Sequence, residues 1–249
     1  MSGHSKWATI KRKKGKTDAE RGRLFTRLIK EITIAARNGG GDESANPRLR
    51  TAVLAAKTAN MPAVNIDRAI KKGTGELEGV NYEEVVYEGF GPGGTAFYVE
   101  VVTDNKNRTV AEMRHLFSKY GGNLGVTGSV ARLFSKQGII VVPAAGVTED
   151  DLMVATLDAG PDDIQQDGDI FQILTEPGKL EPVKKALETA GIKYDSAEVS
   201  MQASNTIKAE GKTAESLMKL ADAIEEHDDV QNVYSNFDVD ENTLASLND

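Results

Sequence analysis

Residues 138–203 read GIIVVPAAGVTEDDLMVATLDAGPDDIQQDGDIFQILTEPGKLEPVKKALETAGIKYDSAEVSMQA. Short runs rich in valine and isoleucine alternate here with two segments of helical periodicity. The pattern predicts the element order βαββαβ, which is the ferredoxin-like arrangement. The predicted elements are strand 139–142, helix 149–159, strand 164–167, strand 170–175, helix 180–190 and strand 193–201.

The segments on both sides of this unit predict the two parts of a second α/β domain. Before the unit, strands 84–88 and 95–103 are joined by the Gly-rich loop 89–94 and predict a hairpin. Thr109 and Glu112 predict a capping box for the helix that follows this hairpin. We therefore predict that residues 137–203 are inserted into a middle domain of residues 80–136 and 204–240. Its predicted elements are strands 84–88, 95–103 and 129–134, helix 214–226 and strand 230–237.

Residues 18–73 predict three helices. Thr17 or Asp18 can cap the first helix, and Asn46 followed by Pro47 predicts the start of the second. Asn60-Met61-Pro62 separates the second helix from the third. The predicted fold class is therefore α+β multidomain: an N-terminal three-helix bundle (the helical domain, residues 1–79) and two α/β, ferredoxin-like domains, the last inserted in the middle one.

Charge is distributed unevenly along the 249 residues. Residues 1–79 hold 17 Lys and Arg against 8 Asp and Glu, a balance of +9, whereas residues 80–249 hold 13 against 30, a balance of −17. This asymmetry indicates that the helical domain meets a polyanion. The chain has no cysteine and no apolar run long enough for a membrane span, so we expect a cytoplasmic protein without disulfides or membrane contact.

The first predicted helix has two faces. Phe25, Leu28, Ile29, Ile32 and Ala36 fall on one side, while cations fall almost opposite. The cationic side is either an ordinary solvated helix face or a phosphate-binding surface, and Trp7 in the basic arm either stacks on a base or packs against the bundle. The candidate nucleic-acid-binding residues are Lys6, Trp7, Lys11, Arg12, Lys13, Lys14, Lys16, Arg23, Arg27, Lys30, Lys71 and Lys72.

Motifs for catalysis, cofactors and metals are weak by comparison. Gly89-x-Gly91-x-x-Gly94 matches a dinucleotide fingerprint in letters, but a strand follows it instead of a helix, so a hairpin loop is predicted. The three histidines, at positions 4, 115 and 227, are far apart in sequence, and no metal site or cofactor is predicted. The acids after Thr148 are interpreted as first-turn residues favoured by the helix dipole.

Several motifs together resemble the YebC/PmpR family over nearly the whole chain. Arg12 stands where many members have histidine, which keeps the positive charge. The mitochondrial translational activator of cytochrome oxidase is a eukaryotic relative in this family. The motifs are Gly3-His4-Ser5-Lys6-Trp7, Ile10-Lys11-x-Lys13-Lys14, Asn60-Met61-Pro62, Arg68-Ala69-Ile70-Lys71-Lys72-Gly73-Thr74-Gly75-Glu76, Thr103-Asp104-Asn105-x-Asn107-Arg108-Thr109 and Gly121-Gly122-x-Leu124-Gly125-x-x-Gly128-Ser129-Val130.

The resemblance implies a non-enzymatic, three-domain bacterial protein located in the cytoplasm. It implies a DNA-binding transcriptional regulator, or alternatively a ribosome-associated translation factor that binds structured RNA and relieves stalling at proline-rich stretches. The expected partner of the helical domain is DNA or ribosomal or transfer RNA, and the ribosome is a further candidate. The predominance of Arg and Lys over Asn and Gln on the predicted surface favours phosphate contact over base reading.

Overall fold

The computed structural model describes residues 18–239. Within this range the chain forms two compact units, one of residues 18–132 and 205–239 and the other of residues 133–204. The second unit therefore lies within the sequence of the first. The α+β multidomain fold with an inserted ferredoxin-like unit is confirmed. Among residues 18–239, no helix is both long enough and apolar enough to cross a membrane.

The described part of the helical domain consists of helices α1 (Asp18–Gly39), α2 (Pro47–Thr58) and α3 (Ala63–Thr74). The predicted cap of α2 is confirmed, because the Asn46 side chain accepts a hydrogen bond from the Leu49 N–H and Pro47 is the first helical residue. Apolar residues of all three helices form one cluster around Ile32, Leu49 and Ala69. The predicted apolar side of α1 lies in this cluster or against it.

Gly73 allows α3 to approach α1 closely. A Cβ at this position would collide with the Thr33 carbonyl oxygen and with the Ala36 side chain. The packing of the two helices therefore requires glycine at position 73. Gly75 has a different role, because it ends α3 in the left-handed conformation with a φ of 83°.

The middle domain is a four-stranded antiparallel sheet with two helices on one face. The sheet order is β3-β1-β2-β9, and Phe97, Phe117 and Leu217 are central in the core beneath it. The predicted hairpin is confirmed, since β1 pairs with β2 across a 3-10 turn at Pro92–Gly94. The elements are β1 (Glu83–Phe90), β2 (Ala96–Thr103), α4 (Lys106–Lys119), β3 (Asn123–Leu124), β8 (Ile207–Ala209), α7 (Gly211–Glu225), β9 (Val230–Ser235) and β10 (Phe237–Val239).

The inserted unit has the antiparallel strand order β5-β6-β4-β7 that the βαββαβ pattern requires. Leu152 and Leu187, from its two helices, pack with Ile140 and Ile173 of the sheet. Thr148 and Asp151 form the capping box of the first helix, which confirms the interpretation of the acids there. The elements are β4 (Phe134–Pro143), α5 (Glu149–Thr156), β5 (Asp163–Asp167), β6 (Ile170–Thr175), α6 (Leu180–Thr189) and β7 (Ser196–Ala203).

Several local predictions are wrong. The predicted strand 129–134 is replaced by a 3-10 turn at Ala131–Leu133, and β4 begins at Phe134. The helix after β2 is capped by Asn105, whose side chain accepts from the Arg108 N–H, and not by Thr109, whose hydroxyl has another partner. The predicted strand 230–237 is divided between β9 and β10. The first error comes from a turn, and the second comes from a side-chain hydrogen bond that the local sequence pattern does not show.

Candidate nucleic-acid interface

The predicted nucleic-acid-binding residues fall into three groups along the chain. One group is on α1, and a second is on α3. The third group belongs to the N-terminal arm and lies outside the described residues: Lys6, Trp7, Lys11, Arg12, Lys13, Lys14 and Lys16. The structure therefore bears directly on the two helical groups, which have very different surroundings.

Lys30 of α1 is buried, so the prediction that it faces solvent is wrong. Only 6% of the residue is exposed. Its ammonium group lies 2.7 Å from a carboxylate oxygen of Asp229 and donates to the carbonyl oxygens of Asp228 and Val102 at 2.9 and 3.2 Å. Helical periodicity correctly placed Lys30 away from the bundle core, but the middle domain packs against that side of α1.

Asp229 is the centre of this polar contact. Its second carboxylate oxygen accepts hydrogen bonds from Thr109 at 2.7 Å, Arg108 at 2.8 Å and Thr103 at 3.0 Å. Burial alone would raise the pKa of Asp229, but the hydrogen bonds from Lys30, Arg108 and Thr109 outweigh burial and hold that pKa well below its ordinary value. Asp229 is therefore a buried carboxylate that stays ionised because two cations and two hydroxyls surround it.

Arg23 and Arg27 lie on the same side of α1 as Lys30. The Arg27 guanidinium donates to the carbonyl oxygen of Glu225 at the C-terminal end of α7. Its Nε is buried and has no hydrogen-bond partner in the described part of the chain. Arg23 lies 3.8 Å from the Glu226 carboxylate, and both of these side chains retain access to solvent. The end of α7 and the residues directly after it thus contact Arg23, Arg27 and Lys30 of α1.

Two further arginines connect the helical domain to the middle domain. Arg48 of α2 contacts Glu31 at 2.7 Å and Glu84 of β1 at 2.6 Å, and its hydrogen bonds to these carboxylates raise its pKa. Arg37 donates to the carbonyl oxygens of Tyr82 and Val80 at 2.6 and 3.3 Å. These named contacts between the two domains all use charged side chains.

Glu112, His227 and Asp229 form a group whose possible metal-ligand atoms lie within 4.8 Å of one another. The His227 Nε2 lies 2.8 Å from the Glu112 carboxylate, and its Nδ1 accepts from the Asp229 N–H at 3.1 Å. An accepting Nδ1 carries no proton, so Nε2 carries it and donates to Glu112. A cation would have to displace this proton and the partners of Asp229, so the donor set fits internal hydrogen bonding better than metal binding.

The cations of α3 face solvent. Arg68 and Lys72 are exposed and form no ion pair within residues 18–239. Lys71 lies 2.9 Å from Asp67 on the same helix, and this hydrogen bond raises the pKa of Lys71. Predicted residues Lys71 and Lys72 therefore lie on a solvent-accessible surface, while Arg23, Arg27 and Lys30 face the middle domain.

Sequence reasoning did not identify the Asp229 cluster. Thr103 at the end of β2 and Arg108 and Thr109 in the first turn of α4 all contact Asp229. The available signal was the density of polar side chains directly after a buried strand. Asp229 itself gave no signal, because it lies 199 residues from Lys30 along the chain.

Two family models match this sequence and together cover most of it. Residues 5–76 match the model described as the TACO1/YebC protein N-terminal domain. Residues 82–237 match the model described as the TACO1/YebC second and third domain. The boundary between the two matches falls in the segment that connects α3 to β1.

Curated relatives match over the full length. A probable transcriptional regulatory protein of Desulfotalea psychrophila is 56% identical over 248 residues, covering 99% of each chain. One of Solibacter usitatus is 58% identical over 247 residues, again covering 99% of each. Among solved structures, that of a conserved hypothetical protein from Aquifex aeolicus is similar with a TM-score of 0.82 and 49% identity, covering 95% of this chain and 98% of that one.

Proposed function

Because this chain belongs to the TACO1/YebC family, we propose that it is a non-enzymatic regulator of gene expression that binds nucleic acid through its helical domain. Relatives that share more than half of its residues are named probable transcriptional regulatory proteins. The observation that carries the proposal is the charge asymmetry, +9 in residues 1–79 and −17 in the remainder, together with the solvent-facing cations of α3. A cationic domain on an acidic body directs a polyanion to one end of the molecule.

The accessible cations favour contact with the phosphate backbone. Arg68, Lys71 and Lys72 of α3 can neutralise phosphates, whereas a base-reading helix presents Asn, Gln or Arg side chains to base edges. Asn65 is the one amide side chain of α3, and it is half-buried. Binding through this surface is therefore expected to depend on charge and on nucleic-acid shape more than on sequence.

Binding that depends on charge and on nucleic-acid shape also supports a second candidate function. A translation factor that binds structured RNA on the ribosome needs shape and phosphate recognition, which the α3 cations and the basic arm supply. A transcriptional regulator needs preference for particular DNA sites in addition. We propose the regulator of transcription first because of the names of the relatives, and the RNA-binding translation factor as the alternative.

The salt dependence of binding tests the proposal. Fluorescence anisotropy with labelled duplex DNA and with a labelled RNA hairpin, from about 50 to 200 mM salt, measures how many phosphates are neutralised. For about six contacts, the slope of log K against log salt is expected to be about −5 on the duplex DNA. A high-affinity, salt-resistant footprint at one DNA site favours transcription, whereas preference for the RNA hairpin favours the alternative.

A charge-reversal pair identifies the surface. The double variant Arg68→Glu, Lys72→Glu is expected to weaken binding by about tenfold, since it removes phosphate contacts and adds repulsion. The matched control is Lys185→Glu, Lys193→Glu, which changes the net charge equally at exposed positions of the inserted unit. An equal loss of nucleic-acid affinity in both double variants would mean that total charge controls binding and that the helical domain has no specific binding surface.

A further inference from the structure

Three cations of α1, Arg23, Arg27 and Lys30, contact one acidic segment of the same chain. Residues 225–229, here called the acidic turn, begin at the last residue of α7 and contain Glu225, Glu226, Asp228 and Asp229. Glu226 meets Arg23, the Glu225 carbonyl accepts from Arg27, and Asp229 meets Lys30. Three cations along one side of a helix are therefore covered by oxygen acceptors on a continuous stretch of chain.

The acceptors of the acidic turn resemble those of a phosphate chain. They are carboxylates and backbone carbonyl oxygens, and the C-terminal end of α7 adds the negative end of its dipole. The same kind of acceptor, closely spaced and negative, is what Arg and Lys contact on a nucleic-acid backbone. The fit is incomplete, because Arg27 Nε is buried without a partner in the described chain.

The contact has the character of a separable interface. The buried apolar residues of the helical domain and of the middle domain form two different clusters, so within residues 18–239 the α1 contact lacks a shared apolar core. A cleft of about 890 Å³ runs beside it, with Thr26, Glu112 and Ala223 among its lining residues. Polar interfaces between domains are typical of domains that move relative to each other.

Opening this contact would not leave a buried charge without partners. Arg108, Thr103 and Thr109, which also bind Asp229, all belong to the middle domain. If Lys30 withdrew with α1, Asp229 would keep one cation and two hydroxyls. Lys30, Arg27 and Arg23 would then be free to contact phosphates.

We propose that the acidic turn masks the cationic side of α1 in the free protein, and that a nucleic-acid backbone replaces it when the helical domain binds. The inference rests on the proposed function and adds regulation to it: the full phosphate-binding surface forms only when the two domains of this unit separate. The first contact is made by the exposed cations of α3, and the α1 cations follow.

Removing acids of the turn tests the masking. Wild type, Asp229→Asn and Glu226→Gln are compared by anisotropy with the same labelled duplex DNA and RNA hairpin. Asp229→Asn is expected to bind about fivefold tighter because it raises the fraction of the open form, and Glu226→Gln about twofold tighter because it removes only a surface pair. Glu215→Gln is the matched control, since Glu215 is an acid of the same helix paired with Lys219, and its affinity is expected to be unchanged.

Hydrogen exchange of the wild-type protein provides a second measurement that needs no variant. On saturation with nucleic acid, amides of the acidic turn are expected to exchange about fivefold faster, because they lose the cover of α1. Amides of β6 in the inserted unit serve as the internal reference. Faster exchange at residues 225–229 alone supports the masking.

The outcomes separate this inference from the proposed function. Salt-dependent binding by the wild type, with no gain in Asp229→Asn or Glu226→Gln and no faster exchange in the acidic turn, would overturn the masking and leave the proposed function standing. Absence of binding in the wild type and in every variant would overturn both. Binding that appears only when the acidic turn is neutralised would support the masking most directly.

Discussion

Helices α1 and α3 carry the same kinds of cation and use them differently. On α1, Lys30 is buried against Asp229 and Arg27 donates to the end of α7, whereas on α3 Arg68 and Lys72 face solvent. The helices pack against each other in one bundle, so the difference comes from what lies beyond the bundle. Whether a helical Lys or Arg is buried or faces solvent therefore depends on what packs against it in the tertiary structure, and not on its position on the helical wheel.

The largest expected effect contrasts Lys30 with Lys72. Lys30→Ala removes one of the two cations that contact the buried Asp229 carboxylate and is expected to destabilise the protein by about 2 kcal/mol, because Arg108 and two hydroxyls remain. Lys72→Ala removes an exposed ammonium that has no ion-pair partner among residues 18–239, and it is expected to change stability by less than about 0.5 kcal/mol. Urea unfolding followed by circular dichroism measures both. Similar losses in the two variants would remove the distinction between the helices.

Acid should weaken the α1 contact selectively. The pKa of Asp229 is lowered in the folded protein, so this carboxylate stabilises the fold above its unfolded pKa and the contribution is lost as the pH falls through that range. Between neutral pH and about pH 3 the loss is expected to be on the order of 1 kcal/mol, and the rest is lost at still lower pH. Comparing the pH dependence of unfolding in wild type and Asp229→Asn measures this contribution. Identical pH profiles would mean that Asp229 is not the group responsible.

The close approach of α1 and α3 can be tested at glycine. Gly73→Ala forces a Cβ against the Thr33 carbonyl and is expected to cost about 1.5 kcal/mol. Gly22 of α1 has open space around its Cα, so Gly22→Ala is expected to stabilise the helix by about 0.5 kcal/mol. A lower melting temperature for Gly73→Ala and a higher one for Gly22→Ala would support the close packing of the two helices. A loss in both variants would point to a general intolerance of α1 and α3 to alanine.

The smallest effect is expected at the solvent-exposed edge of the α1 contact. Arg23 and Glu226 are 3.8 Å apart, and the Glu226 side chain is 67% exposed. Glu226→Ala should therefore change the free energy of unfolding by less than about 0.5 kcal/mol. The effect should disappear at high salt, because an exposed pair is screened. A loss comparable to that of Lys30→Ala would show that the pair is stronger than its geometry indicates.

Local patterns were sufficient to predict the inserted unit. Its strands and helices each carry their own periodicity, and helix α5 carries its own capping box at Thr148 and Asp151. The βαββαβ order then determined the sheet topology. The hairpin at Pro92–Gly94 and the cap at Asn46 were predictable for the same reason, since the residues that form them are neighbours in sequence.

The environment of α1 could not be predicted in this way. Periodicity separates the two sides of a helix but does not say what covers each side, and Lys30 meets an aspartate 199 residues away. The local pattern was also insufficient at Thr109, which was predicted to cap the helix because Glu112 follows it three residues later. Its hydroxyl binds Asp229 instead, and Asn105 takes the capping position.

The insertion of residues 133–204 has a consequence for the order in which the chain matures during synthesis. All strands of the inserted unit lie between Phe134 and Ala203, and its ends are joined by a hydrogen bond from the Ser204 N–H to the Leu133 carbonyl. The middle sheet has β9 beside β2, so it must wait for residues that leave the ribosome later. A nascent chain would therefore hold a folded inserted unit while the middle domain is still incomplete, and Lys30 would meet Asp229 only after residue 229 has left the ribosome.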